Sequence, residues 1–130
     1  MLKTGWYYVV DIPAKGVVQR RLDRGKELYH LKTQPILTAA NFKDVYIYTG
    51  FNAKGMRMEL DEEGIEYWSE ATGKWVAKYV AFVYDDILVG VQRVAAQNTN
   101  GETIIYKKEY SEAELQKMID DLGFGKEEGN

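Results

Sequence analysis

The sequence contains no cysteine, a single histidine and two prolines. Without cysteine, disulfides, thiolate metal sites and cysteine nucleophiles are excluded. His30 is the one imidazole, and a Ser-His-Asp arrangement built on it would have to recruit Ser69 or Ser111, both of which read as helix residues. No apolar run approaches the roughly 20 residues of a membrane-spanning helix, so direct membrane insertion of this chain is not expected. Met1–Tyr8 lacks the basic, apolar and small-residue succession of a signal peptide. No Asn-x-Ser/Thr sequon, internal repeat or low-complexity stretch occurs.

What is present is a chain of 130 residues, 45% hydrophobic and 13% aromatic, the size of one domain with a real core. Net charge is −3, unevenly placed: residues 1–54 carry nine Lys/Arg against four acids, and residues 55–130 carry eight against sixteen. That imbalance favours attraction between the two parts of the chain, or between two copies as a homodimer, over a nucleic-acid footprint, which needs a concentrated basic face. The basic cluster Arg20, Arg21, Arg24 and Lys26 reads as a solvated edge strand and turn guarded by charge.

Gly5–Asp11 (GWYYVVD) reads as a strand, Ile12–Gly16 as a turn, and Val17–Leu22 and Glu27–Lys32 as two further strands around a turn at Asp23–Lys26. Leu37–Asp44 predicts a helical turn with Thr38 as N-cap, followed by a strand at Val45–Tyr48, a loop at Gly50–Gly55 and a strand at Met56–Leu60. Asp61 is the expected cap of a helix that carries Ile65, Trp68, Ala71 and Thr72 on its inner face and stops at Gly73. Val76–Tyr84 alternates with both faces largely apolar, the mark of a central strand. Asp85-Asp86 is its turn, Ile87–Val94 the return strand, and Asn98–Gly101 a turn before Thr103–Lys108. In the last helix Ser111 and Glu114 form an S-x-x-E capping box, Tyr110 and Leu115 a hydrophobic staple, and Leu115, Met118, Ile119 and Leu122 one buried stripe. Gly123 is its stop, and residues 124–130 are a charged tail expected to fray.

The chemistry carried by this pattern is thin. Glu62, Glu66 and Glu70 share one helix face, where carboxylates could serve a divalent cation or a glycosidic bond, but such a row is ordinarily solvated. Asp120-Asp121 sits near a helix C-terminus, where a partner such as Lys117 is expected in place of a metal. Gly50–Gly55 has the glycine spacing of a phosphate loop, yet Met56-Arg57 follows where Lys and Ser/Thr are required. No catalytic, cofactor-binding or metal-ligating set is therefore expected. The functional candidates are aromatic: Trp6, Tyr7, Tyr46, Tyr48, Trp75 and Tyr79, with Tyr67 beside them, supply rigid amphipathic surface of the kind that dominates binding sites.

Four blocks in order carry a resemblance. They are Ile36-Leu37-Thr38 with Asn41–Val45, Leu60–Ile65 with Ser69–Lys74, Val80–Asp86, and Tyr110–Leu115. In order and spacing they resemble the head subdomain of the first periplasmic domain of the protein-export membrane protein SecD, over residues 35–122. The first 34 residues, a β-rich segment, lie outside that resemblance, and their Gly-Trp-Tyr-Tyr start looks like that of stand-alone envelope proteins carrying the same subdomain. The chain departs from the pattern where the family's Asp-Gly turn is Asp85-Asp86, where its Ser-Ala-Pro is Gly90-Val91-Gln92, and where Asn98–Glu109 replaces a glycine-rich loop. Lacking transmembrane helices, the chain is expected to share the family's fold and an affinity for extended polypeptide, not proton-coupled pumping.

The expected architecture is a single α+β domain over residues 1–123, an antiparallel or mixed sheet of about five to seven strands with two main helices on one face. By resemblance, the expected role is a non-enzymatic envelope module, periplasmic, secreted or lipid-anchored after removal of a signal, that binds a protein or unfolded peptide by strand addition. A structural subunit that self-associates through its oppositely charged halves, and a carboxylate-dependent hydrolase, are the alternatives.

Overall fold

A strand pair with both faces buried runs through the middle of the molecule. In the computed structural model, which describes residues 1–125, β1 (Gly5–Val10) pairs antiparallel with β7 (Tyr79–Tyr84) through Gly5–Val83, Trp6–Phe82, Tyr7–Ala81 and Tyr8–Val80. Successive side chains of a strand point to opposite faces. Tyr7, Ala81 and Val83 accordingly enter one apolar cluster with Leu2, Leu31 and Leu88. Trp6, Val80 and Phe82 enter a larger one on the other side.

The smaller cluster is wrapped by a curled sheet. β2 (Val17–Arg21) and β3 (Leu28–Lys32) form a hairpin laid beside β1, and β8 (Ile87–Arg93) lies beyond β7, giving the order β2-β3-β1-β7-β8. A bridge between Leu22 and Leu88 brings the two ends of that order together. β4 (Leu37–Thr38) pairs with the start of β1. There Gly5 is required, because a Cβ at that position would lie 2.0 Å from the Leu37 carbonyl oxygen.

The larger cluster is closed by a second sheet and both helices. β5 (Phe42–Gly50), β6 (Ala53–Leu60) and β9 (Glu102–Tyr106) form an antiparallel sheet whose inner face supplies Val45, Met56, Met58 and Ile105. α1 (Glu62–Lys74) contributes Trp68, and α2 (Glu112–Asp121) contributes Leu115, Met118 and Ile119. The indoles of Trp6 and Trp68 meet at 5.2 Å between ring centroids. Neither indole N–H has a partner among the described residues, so ring packing and dispersion hold them.

Helix starts follow the local sequence. Asp61 Oδ1 accepts from the Gly64 N–H at 2.7 Å, and Ser111 and Glu114 form the reciprocal capping box at 3.1 and 2.9 Å. Glu114 has a second task. The guanidinium of Arg24, on the turn after β2, bonds both of its carboxylate oxygens and lies 4.6 Å over the Tyr110 ring. Beside it Tyr110 Oη donates to Asp23 Oδ2 at 2.6 Å, and Lys107 Nζ donates to the Asp23 carbonyl at 2.7 Å. This latch fastens the β2–β3 turn to the head of α2.

The α+β class with two helices is the architecture seen, and the nine strands among the described residues divide between two sheets. Several local expectations need correction. Leu37–Asp44 is not a helical turn throughout: Leu37-Thr38 is strand, Ala39–Asn41 one turn of 3-10 helix, and β5 begins at Phe42, because pairing with Gly5 and Trp6 holds Leu37-Thr38 extended. The loop at Gly50–Gly55 is a two-residue turn, Phe51-Asn52, with the strands paired up to Gly50–Ala53. Val76–Lys78 does not belong to the strand that follows. Lys78 N–H bonds the Trp75 carbonyl at 3.0 Å, and Ala77 takes a left-handed φ of 69°. α1 runs one residue past Gly73, its buried face includes Gly64, and Ile65 and Leu122 are only half-buried. Of the charged tail, residues 126–130 lie outside the described residues.

Two predictions follow from this geometry. An L-residue in the left-handed region is disfavoured by about 1 kcal/mol, so Ala77→Gly raises unfolding stability by up to about that amount in urea titration. The Arg24 guanidinium, then the Ser111 N–H, hold the Glu114 carboxyl at about 2, below the ordinary carboxylate range. The stabilisation is therefore complete above the unfolded carboxyl pKa of about 4.3 and is lost as pH falls toward 2. NMR titration of the Glu114 side chain gives that midpoint directly, and Arg24→Gln moves it upward.

Candidate functional site

The β1–β7 ladder ends at Tyr8–Val80, although β1 continues through Val10 paired on its other side to β3. Beyond that pair the chain of β1 and the Trp75–Lys78 turn diverge, leaving a cleft of about 450 Å3 between Val9–Ile12 and Trp75–Tyr79. A second hollow of about 390 Å3 adjoins it, sharing Val9, Val10, Asp11 and Tyr79 and reaching Leu28, Tyr29 and His30 of β3. Its rim is apolar and wet: Ile12 is 69% exposed, Leu28 49% and Tyr79 47%. β1 ends at Val10 and the chain bends at Asp11-Ile12 before Pro13, which leaves Ile12 exposed at the rim.

Trp75 organises the far wall. Placed at the end of α1, it donates its indole N–H to the Tyr79 carbonyl at 2.9 Å and packs on Tyr8 with ring centroids 4.6 Å apart. Lys78 Nζ lies 4.3 Å from the Trp75 ring centroid, and Lys32 Nζ lies 5.7 Å from it and 5.4 Å from that of Tyr8. These ammonium groups over aromatic faces make the wall cationic as well as apolar. Burial pushes the Tyr8 phenol up, with Lys74 pulling the other way. On the far side of Tyr8 and Lys32 a groove of about 560 Å3 runs along α1, with Ile36 and Ala71 in it and Glu63, Tyr67 and Glu70 on its helix side.

The structure separates the six aromatic candidates into three places. Trp6 and Tyr7 are fully buried and belong to the two cores, which removes them from any binding surface. The reason is that both faces of β1 are covered. Tyr46 and Tyr48 stand half-buried on the outer face of the second sheet, where Tyr46 Oη donates to Glu59 at 2.7 Å and Arg57 lies 5.9 and 5.3 Å from the two ring centroids. Trp75 and Tyr79 are brought together at the cleft. Tyr8, Ile12 and Lys78 join them there and were not among the candidates. Ile12 had a readable signal, an apolar residue before proline in a presumed turn.

The acidic rows take structural roles. Lys117 reaches Asp121 at 3.1 Å, as expected, and Tyr84 Oη donates to the same carboxylate at 2.8 Å. Asp85 and Asp86 form the turn with φ of 48° and 68°, and Asp86 accepts from the Leu2 N–H and from Arg20, both at 2.8 Å. Glu62, Glu66 and Glu70 are exposed, and Glu70 pairs with Lys74 at 2.9 Å. Among the described residues no group of three His, Asp or Glu side chains converges as a metal site.

A curled sheet and a second sheet, the latter sharing the larger core with two helices, make up an α+β domain open at the end of its central ladder. The chain is similar to SecDF in its super-membrane-facing crystal form, with a TM-score of 0.64 and 22% identity over 71% of this chain and 12% of that one. It is also similar to a structure of SecDF, described as a membrane component that enhances protein export, with a TM-score of 0.66 and 14% identity over 92% of this chain and 62% of that one. At these identities the likeness is one of fold, and the chain spans less than two thirds of either. No family model and no curated protein matches the chain. No helix among the described residues is long and apolar enough to cross a membrane.

The Trp75–Tyr79 bond is open to test. Trp75→Phe keeps a ring against Tyr8 but removes the N–H donor, and is expected to lower stability by about 0.5–1.5 kcal/mol, read by urea unfolding.

Proposed function

We propose that this chain is a non-enzymatic, protein-binding module related to protein export, and that an extended polypeptide is its guest. The observation that supports the reading is the ending of the β1–β7 ladder at Tyr8–Val80 beside an exposed apolar rim. A guest strand laid against Val9–Ile12 takes the place that β7 leaves, running antiparallel to β1. Its alternate side chains then meet Trp75 and Tyr79 on one face and the hollow by Leu28 on the other. Main-chain hydrogen bonds supply affinity without reading sequence, as a module handling many polypeptides requires. The likeness to SecDF supports an envelope-side location.

The assembly reading is disfavoured by a specific observation. Arg20–Asp86, Arg24–Glu114 and Lys54–Glu112 join the basic first part of the chain to the acidic second part within one molecule. Part of the charge asymmetry is thus satisfied within one molecule.

The test is a backbone-amide NMR titration with unfolded, apolar-rich peptides. Shifts are expected along Val9–Ile12, Trp75–Tyr79 and Leu28–His30, and Tyr79→Ala weakens binding about tenfold, as loss of a central aromatic contact does. Silence at millimolar peptide, or shifts confined to another surface, would sink the reading.

A further inference from the structure

The hairpin between β5 and β6 turns on Phe51 and Asn52, with φ of 52° and 59°. Left-handed backbone is an outlier for a bulky aromatic, and turns of this kind are dominated by Asn, Asp and Gly. Phe51 is nevertheless 94% exposed, meeting Tyr106 edge-on at 6.0 Å between centroids. Strain and exposure at one large apolar residue, with little gained inside the molecule, mark a group that acts outward.

The sheet behind this tip is graded along its length. Strand register places Tyr48, Gly55 and Tyr106 in one row, Tyr46, Arg57 and Ile104 in the next, and Asp44, Glu59 and Glu102 at the far end. The segment Tyr48–Arg57 holds two cations, Lys54 and Arg57, and no carboxylate of its own; Lys54 is paired with Glu112 of α2 and Arg57 with Glu102. At a rise of about 3.4 Å per residue, the tyrosine row stands about 10 Å behind Phe51 and the acidic row about 24 Å behind it.

We infer that this tip is a contact for a lipid surface. Phe51 enters the boundary between headgroups and acyl chains, while Tyr48 and Tyr106 lie at headgroup level, where ring and hydroxyl are each suitably placed. The acidic row is held away from an anionic surface, beyond a Debye length. A protein pocket would need only the protruding ring. Along the outer face of the sheet the ordering from apolar tip through tyrosines to carboxylates matches the polarity profile of a bilayer interface, while on the α2 side Glu112 is neutralised by Lys54, and a convex tip suits a soft partner. Such a contact requires no membrane-spanning segment.

The experiment uses the full chain, isotope-labelled, with bicelles of phosphatidylcholine and phosphatidylglycerol carrying a spin-labelled lipid. Amides of Gly50–Lys54 and Tyr106 are expected to broaden while those of Asp44, Glu59 and Glu102 do not. Phe51→Ser, which removes no internal packing beyond the Tyr106 edge, reduces vesicle partitioning about tenfold or more, and Phe51→Trp retains it. Broadening that is absent, evenly spread or unchanged in Phe51→Ser overturns the proposal, with a protein pocket then left as the occupant of the tip. No peptide is present, so failure here leaves the cleft reading untouched.

Discussion

Four residue pairs between β1 and β7 are the constraint on which the rest of the molecule depends. Because both faces of this ladder are buried, it cannot be the cover of one core; it is the wall between two. The curled sheet must close on one side, through the Leu22–Leu88 bridge, and the helices with the second sheet must close on the other. A bulge allows β8 to serve both. Phe82 pairs with Gly90 and Val83 with Leu88, leaving Val89 as the extra residue, so Leu88 turns into the small core while Val89 reaches the large one. The same ladder makes the cleft simply by stopping, because α1 ends at Trp75 and the chain needs a left-handed turn at Ala77 before β7 can begin.

Electrostatics does the fastening where apolar contact runs out. The β2–β3 hairpin is paired to β1 only through Val9–Leu31 and Val10–His30. Beyond that pairing it is held by Leu31 in the small core, with Val18, Leu22 and Tyr29 packed against it, and by polar ties: Arg20 to Asp86, and the Asp23–Arg24 turn to Lys107, Tyr110 and Glu114. Exposed pairs of this kind contribute little singly. Their value is positional, since each joins segments more than sixty residues apart and so fixes how the curled sheet meets α2. The segregation of charge along the sequence is the one-dimensional trace of this docking.

Legibility in the sequence followed the range of the interaction. Asp61 and the Ser111–Glu114 box act within three residues and were legible as caps, and Asp85-Asp86 was legible as a turn, though not its distant bonds to Leu2, Thr4 and Arg20. The doubly buried strand was also legible within Val76–Tyr84, since both of its registers are apolar, although it begins only at Tyr79. Trp6 and Tyr7 were misjudged because alternation in GWYYVV is silent on whether one face or two are covered; that depends on β7 and β8, some seventy-five residues away. Val76–Lys78 continues the alternating pattern into a turn, which the Trp75 indole bond, the Lys78–Trp75 hydrogen bond and the left-handed Ala77 distinguish from the strand. Phe51 stood in a segment whose glycines suggested a loop, although register pairing carries both strands to its edge.

The reach of the fold likeness bears on what the first 34 residues are. Sequence blocks place the resemblance at residues 35–122, with the β-rich start outside it. A structural match covering 92% of the chain leaves too little uncovered to omit that start. The fold explains why. β1 sits between β3 and β7, and neither core closes without it. An addition to a finished domain would lie at an edge, with one polar face and no buried tryptophan. Gly5–Val10 instead carries Trp6 at the centre of the large cluster and Tyr7 in the small one. The N-terminal segment is therefore a structural member of the domain, and the cleft it forms with Trp75 and Tyr79 belongs to the fold itself.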